Sequence, residues 1–122
     1  MAYTGQTLVN PASGERITIR ATAAETNGEL VAIDLELPPG GRVPGWLHAH
    51  PHQEERFKVV RGAMRFRLRR RRVLAGPGDV VVVAPGVPHD FANAGDETAL
   101  VHVEVRPALR MEDLFETAVA LA

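Results

Sequence analysis

The chain has 122 residues, a formal net charge of −1 and no cysteine. This length suits one domain with its own apolar core, which needs neither a metal nor a disulfide to hold it together. The lack of cysteine excludes disulfides, thiolate metal ligands and a cysteine nucleophile. The opening MAYTGQTLVNPASGERI lacks a signal-peptide pattern, and no stretch approaches the roughly 20 apolar residues of a membrane span. We therefore expect a soluble, cytoplasmic protein without membrane contact.

Short runs that are apolar or alternating recur between turn signals. In chain order they are RITIRAT, ELVAIDLEL, GWLHAH, ERFKVV, AMRFRLR, DVVVVA and ALVHVEV. The segments between them, such as PPGGRVPG and APGVP, carry the Pro and Gly that turns require. This rhythm predicts an all-β sandwich or barrel of seven or more strands. After Pro107 the apolar spacing changes and predicts one short amphipathic helix over about 108–121.

Nine of the fourteen basic residues lie between Arg56 and Arg72, a stretch without an acid. Clustered Lys and Arg can neutralise phosphates, so nucleic acid is one interpretation. In MRFRLRR, however, arginines alternate with apolar residues, which is the period of a strand with one face in water. The run also offers no exposed aromatic side chains on which bases could stack. We interpret it as a solvated strand face and do not expect nucleic acid as a partner.

The segment WLHAHPHQEERF sets three histidines at alternate positions. On a strand, Trp46, His48 and His50 point to one face, so the two imidazoles can converge on one point. His52 shares this parity but lies beside the turn at Pro51, where we expect exposure. Trp46 is expected at the mouth of the barrel, as a lid or a packing residue.

The returning strand is expected to carry Glu55, Phe57 and Val59 on one face. The apolar neighbours place Glu55 inward and leave Glu54 on the solvent side. A carboxylate that faces a barrel interior costs free energy unless it is paired or binds a metal. Glu55 is therefore a candidate metal ligand.

His89 follows a second apolar strand and a turn that Pro85 and Pro88 stiffen, in VVVVAPGVPHDFAN. Taken alone, two strand histidines are ordinary half-buried polar residues; a third histidine after a rigid turn favours a metal site. Three imidazoles and one carboxylate suit Fe(II), Mn(II), Ni(II), Cu(II) or Zn(II), and the pattern does not choose among them.

At these residues the sequence resembles the cupins, whose first motif is G-x5-HxH-x3,4-E-x6-G. His48, His50, Glu55 and Gly62 reproduce its spacing, although neither Gly41 nor Gly45 fits the opening glycine. The second motif, G-x5-PxG-x2-H-x3-N, is matched by Gly78, Gly86, His89 and Asn93, with Ala84 in place of its proline. The two matches span about 53 residues.

The resemblance implies a cupin-type double-stranded β-helix, or jelly-roll barrel, to which the apolar spacing after Pro107 adds the short carboxy-terminal helix. It implies one divalent transition metal per chain, bound by His48, His50, Glu55 and His89. It also implies a homodimer, for which the carboxy-terminal helix and the RITIRAT strand are the candidate contacts. We expect one domain over 1–122, divided into amino-terminal strands, motif one, motif two and the helix at 1–37, 41–62, 78–93 and 108–121.

Fold does not determine function, and three functions stay open. The first is a metal-dependent oxidoreductase of the dioxygenase type acting on a small organic molecule, since four protein ligands leave open positions on an octahedral metal. The second is a non-catalytic domain that binds a small ligand or metal, and the third is a metal-assisted isomerase or epimerase. Phe57 and Phe91 are candidate pocket residues, with barrel core as the alternative. His102 is a further pocket candidate if its face of ALVHVEV points inward, although the valine face looks drier.

Overall fold

The computed structural model of the chain describes residues 2–43, 52–109 and 111. Ten β-strands lie within this part of the chain, and no helix in it is long and apolar enough to cross a membrane. The strands are β1 Thr7–Val9, β2 Arg16–Ala21, β3 Val31–Leu37, β4 Arg42–Val43, β5 Glu54–Arg61, β6 Met64–Leu68, β7 Arg71–Ala75, β8 Val80–Val83, β9 His89–Asn93 and β10 Ala99–Arg106.

The strands form two antiparallel sheets. The larger sheet has the order β1-β2-β3-β10-β5-β8, and the smaller sheet has the order β4-β9-β6-β7. Strands that are distant in sequence lie side by side in both sheets, as when β10 inserts between β3 and β5. The all-β architecture predicted from the strand rhythm and the jelly-roll barrel implied by the resemblance are both confirmed.

Alternating burial along each strand builds the core between the two sheets. In β5, Glu55, Phe57 and Val59 are buried while Arg56 and Lys58 are exposed, as the parity argument predicts. The same alternation places Met64 and Phe66 inside from β6, and all three valines of β10 inside from every second position of that strand. The core is apolar because one face of every long strand is apolar, and burial of that face provides the main driving force for folding.

The turn in LRRRRVL contains no glycine, but one arginine adopts the required conformation. Arg69 has a φ of 55°, within the left-handed region. Its backbone N–H donates to the carbonyl oxygen of Pro88 at 2.9 Å, which ties the β6–β7 turn to the loop that precedes β9. This bond offsets part of the cost of a left-handed residue other than glycine.

Two predictions about the chain's ends have different outcomes. Most of the helix predicted at about 108–121 lies outside the described residues. The RITIRAT segment forms β2, which is hydrogen-bonded on both sides within this chain, by β1 and by β3. Strand β1 thus already covers Arg16–Thr18 on the side that β2 could offer another chain, and the homodimer stays a prediction.

Candidate functional site

Glu55 and His89 meet inside the barrel, each from a different sheet. Glu55 lies near the start of β5 and is 2% exposed; His89 begins β9 and is 4% exposed. The Nε2 atom of His89 lies 3.2 Å from the Oε2 atom of Glu55. Because stacked sheets pack about 10 Å apart, two inward side chains of this length reach each other across the core.

The loop before β9 fixes the imidazole of His89. Gly86 has a φ of 79°, and the N–H of Val87 donates to the carbonyl oxygen of Ala84 at 3.2 Å, so a tight turn closes just ahead of the histidine. The Nδ1–H of His89 donates to the carbonyl oxygen of Val87 at 2.9 Å. A carbonyl can only accept, so this contact places a proton on Nδ1 and directs Nε2 at Glu55.

The electrostatic environment of His89 reflects both its burial and its partner. Burial lowers the pKa of His89, because a charged imidazole loses its hydration there. The hydrogen bond and the negative charge of Glu55 act in the opposite direction, with a smaller contribution from the Val87 carbonyl. The net effect raises the pKa of His89 above its ordinary value.

Aromatic rings form the floor beneath this pair. Phe57 packs edge-on to the His89 ring with a centroid distance of 6.1 Å, and it contacts Phe91 at 5.3 Å. Phe66 completes the cluster, 5.1 Å from Phe57 and 5.8 Å from Phe91. Phe57 and Phe91 thus belong to the barrel core, and they also lie beside the pair of Glu55 and His89. Sequence reasoning missed Phe66, although its alternation with Arg65 and Arg67 was the available signal.

His102 lies on the opposite face of the larger sheet. Its neighbours Val101 and Val103 are buried, whereas the His102 side chain is 34% exposed. Its Nδ1 atom lies 2.8 Å from Oδ1 of Asp34, and its Nε2 atom lies 3.5 Å from Oε2 of Glu104. The structure does not bring His102 to the pocket, because the valine face of β10 is the one that faces the core.

Asn93, the last residue of the second motif, has a structural role. It is buried, and its amide nitrogen donates to the carbonyl oxygens of Leu37 at 2.9 Å and Glu97 at 2.7 Å. Its side-chain oxygen accepts from the N–H of Gly95 at 2.7 Å. These bonds fix the end of β9, the strand whose other end positions His89.

The remaining predicted site residues lie partly outside the described residues and partly on the surface. Trp46, His48 and His50 lie outside the described residues. His52 is exposed, as expected from its place beside the turn. Within residues 2–43, 52–109 and 111, no group of three or more His, Asp or Glu side chains could hold a metal ion. The described part of the chain therefore supplies two of the four proposed ligands, and these two lie together.

The sequence model of the cupin domain family matches residues 33–105. No curated protein matches the sequence. Among solved structures, the chain is similar to a predicted oxalate decarboxylase from Thermotoga maritima, with a TM-score of 0.76, 18% identity and coverage of 85% of this chain and 92% of that one. An RmlC-like cupin from Shewanella frigidimarina gives a TM-score of 0.71 at 20% identity, covering 92% and 94%. KdgF from a Halomonas species gives 0.70 at 21% identity, covering 89% and 99%.

Proposed function

This chain belongs to the cupin domain family, and from that premise we propose that it is a metal-dependent oxidoreductase of the dioxygenase type that acts on a small organic molecule. One divalent transition metal would be held by His48, His50, Glu55 and His89. The observation that carries the proposal is the buried pair of Glu55 and His89, 3.2 Å apart. The cupin structures named above are all under 25% identical, so their likeness concerns the fold and does not select a reaction.

The chemistry of the described donors fits such a metal. A carboxylate oxygen and an imidazole nitrogen are the ligand types that Fe, Mn, Ni, Cu and Zn accept in the absence of sulfur. Metal-binding histidines commonly donate their other ring N–H to a backbone carbonyl, which fixes the tautomer and the ring orientation. The bond from Nδ1 of His89 to the Val87 carbonyl has this form and leaves Nε2 directed at Glu55.

The described interior favours a substrate with little negative charge. No Lys or Arg is buried among the described residues, and the sequence of 44–51, PGWLHAHP, contains neither. The floor beneath Glu55 and His89 consists instead of the aromatic rings of Phe57, Phe66 and Phe91. An apolar site suits an uncharged aromatic or aliphatic substrate, whereas a phosphorylated sugar would find no Lys or Arg among these residues to pair with its phosphate. This supports the oxidoreductase over the isomerase.

Each part of the site has a separate task in this proposal. Once bound, a transition metal with open positions would act as a Lewis acid and allow O2 and substrate oxygen atoms to be brought together. Glu55 would balance part of the metal's charge, and the turn before β9 would keep His89 in place. The phenylalanines would exclude water, which strengthens every electrostatic interaction inside the pocket.

The first experiment is elemental analysis by mass spectrometry of untagged protein purified without chelator, reported as metal per chain. His89→Ala is compared with His52→Ala, a variant of an exposed histidine. We expect near-stoichiometric metal in the wild type and in His52→Ala, and at least about a tenfold loss in His89→Ala. A wild type that contains no metal and refuses added Fe(II), Mn(II), Ni(II), Cu(II) or Zn(II) would overturn the metal site.

Oxygen consumption then tests the reaction. Iron-loaded protein is screened in an oxygen electrode with catechol, flavonol, diketone and thiol substrates, and His89→Ala serves as the inactive control. We expect turnover with a member of one of these classes. If the protein is fully metallated, consumes no oxygen with any of them, and yet one of them raises its melting temperature, the non-catalytic binding function replaces the oxidoreductase.

A further inference from the structure

A groove of about 430 Å³ crosses the outer face of the smaller sheet, away from the barrel interior. Among the described residues, its charged lining consists of four arginines and one carboxylate, namely Arg42, Arg65, Arg67, Arg72 and Asp90. Strand β9 separates this groove from the interior site: His89 and Phe91 point inward, and Asp90 and Ala92 point outward. The groove is therefore a second site, independent of the metal proposal.

The strand register explains why this face is concave. Ala92 of β9 pairs with Arg42 of β4 on one side and with Arg65 of β6 on the other. Cross-strand partners project from the same face, and neighbouring strands lie about 4.8 Å apart. Two long arginines therefore flank a single methyl group. Ala92 forms the floor of the groove, and the two guanidinium groups form its walls.

The next row of the sheet places like charges side by side. Arg67 of β6 is directly opposite Arg72 of β7, and such a pair destabilises a sheet. Arg67 also forms an ion pair with Asp90. Within the described part of the chain, no carboxylate lies at ion-pair distance from Arg42, Arg65 or Arg72. The groove thus has a surplus of positive charge that the carboxylates of the described residues do not neutralise.

We propose that this arginine groove binds a small phosphate-bearing molecule with more than one negative charge. Guanidinium groups present paired donors that match phosphate oxygens and remain charged at every physiological pH. The volume lies within the range of small-molecule sites, at roughly 300–1,000 Å³. Of the remaining lining residues, Val43 and Phe91 have buried side chains, so the described part of the lining offers no exposed aromatic ring for base stacking. This composition favours a compact phosphate over single-stranded nucleic acid.

The test is isothermal titration calorimetry with sodium pyrophosphate at about 50 mM ionic strength, where screening is weak. Arg65→Gln is compared with Arg56→Gln, which makes the same charge change in the same basic run but on the larger sheet. We expect saturable binding to the wild type, at least about a tenfold loss in Arg65→Gln, and less than a twofold change in Arg56→Gln. Equal weakening in both variants would reduce the effect to net charge and overturn the site.

A second variant tests the groove without removing an arginine. Ala92→Glu adds a carboxylate to the floor between Arg42 and Arg65, where it can pair with both, and we expect a folded protein that has lost pyrophosphate binding. His89→Ala locates the ligand, because it disrupts the interior site and should leave binding within twofold of the wild type. Loss of binding in His89→Ala would place the pyrophosphate in the barrel and contradict the proposal. So would the absence of pyrophosphate binding in a wild type that binds a 12-residue oligothymidylate, which would assign the arginines to nucleic acid.

Discussion

The Nε2 atom of His89 lies 3.2 Å from the Oε2 atom of Glu55, although 34 positions separate the two residues along the chain. One belongs to the larger sheet and the other to the smaller sheet, so the contact forms only when the barrel closes. Both side chains are almost fully buried, and removing such groups from water costs free energy that their mutual contact offsets only in part. The arrangement combines a donor set suited to a metal with a cost that a metal would offset.

Replacing Glu55 with Gln should abolish most metal binding. The substitution keeps the size of the side chain but removes the negative charge that favours a divalent cation, so we expect at least about a tenfold fall in affinity. Glu54→Gln is the matched control, because Glu54 is adjacent, partly exposed and near Arg56 on the outer face. Metal titration followed by competition with a chelator measures both variants. Equal affinity in the two would exclude Glu55 as a ligand.

The strand parity of the histidine segment makes a separate prediction. His50→Ala should lose metal with only a modest loss of stability, because the described barrel core is apolar and contains no contribution from this imidazole. His52→Ala should change little, since His52 is exposed. Metal per chain and the urea midpoint are measured for both proteins. Equal metal loss in the two variants would show that the predicted parity is wrong.

Alternation predicted the interior of the barrel because a strand exposes every second side chain to the same environment. In β5 this rule identified the inward Glu55. In β10 it favoured the valine face as the drier one and left His102 open, and the structure places that valine face inside. The short strands were missed: β1 and β4 have only three and two residues, too few for a period to be visible. Strand β9 was also missed, because HDFAN resembles a loop by composition and becomes a strand by pairing with β6.

The pairing between strands that are distant in sequence could not be predicted from the alternation of residues within each strand. The turn at Arg69 sets the register that places Arg67 opposite Arg72 in the β6–β7 hairpin. The arginines on both sides of Ala92 come instead from β4 and β6, which pair with β9 from distant parts of the chain. The sequence was interpreted there as a solvated face without a ligand. Only the register reveals that four arginines share one groove. The alternation within one strand could show that its arginines point outward, but it could not show which other strands lie beside them.

Gly62→Ala should destabilise the fold more than Gly78→Ala. Both glycines have positive φ values, 86° and 91°, so both substitutions carry the strain of a left-handed residue. A Cβ at position 62 would also lie 2.9 Å from the Cα of Ala99, whereas position 78 has open space. We expect an additional cost of about 1–3 kcal/mol at position 62. Urea unfolding measures the difference, and equal losses would show that the β10 backbone shifts freely.

Arg72→Gln should stabilise the protein slightly while it weakens anion binding. It removes the like charge opposite Arg67, and such pairs cost a few tenths to about 1 kcal/mol. Arg71→Gln is the control, because Arg71 is opposite Leu68. Urea midpoints are compared at about 50 mM and about 500 mM salt. The gain should shrink at high salt, since screening weakens repulsion between exposed charges; a gain that salt does not change would need another cause.

Glu15 provides a pH dependence that is separate from both sites. It is 8% exposed, and burial raises its pKa from 4.5 to about 7. Between these values the folded state retains a proton that the unfolded state has lost, so this residue makes stability fall as the pH rises from about 4.5 to 7.

Glu15→Gln lacks this titration and should therefore be more stable than the wild type at pH 8, by up to about 3 kcal/mol, with a much smaller difference at pH 5. Glu97→Gln, at an exposed position, is the control. Urea unfolding at about pH 5 and about pH 8 gives the two differences for each variant. If the advantage of Glu15→Gln is the same at both pH values, the carboxyl of Glu15 titrates alike in the folded and unfolded states, and burial does not raise its pKa.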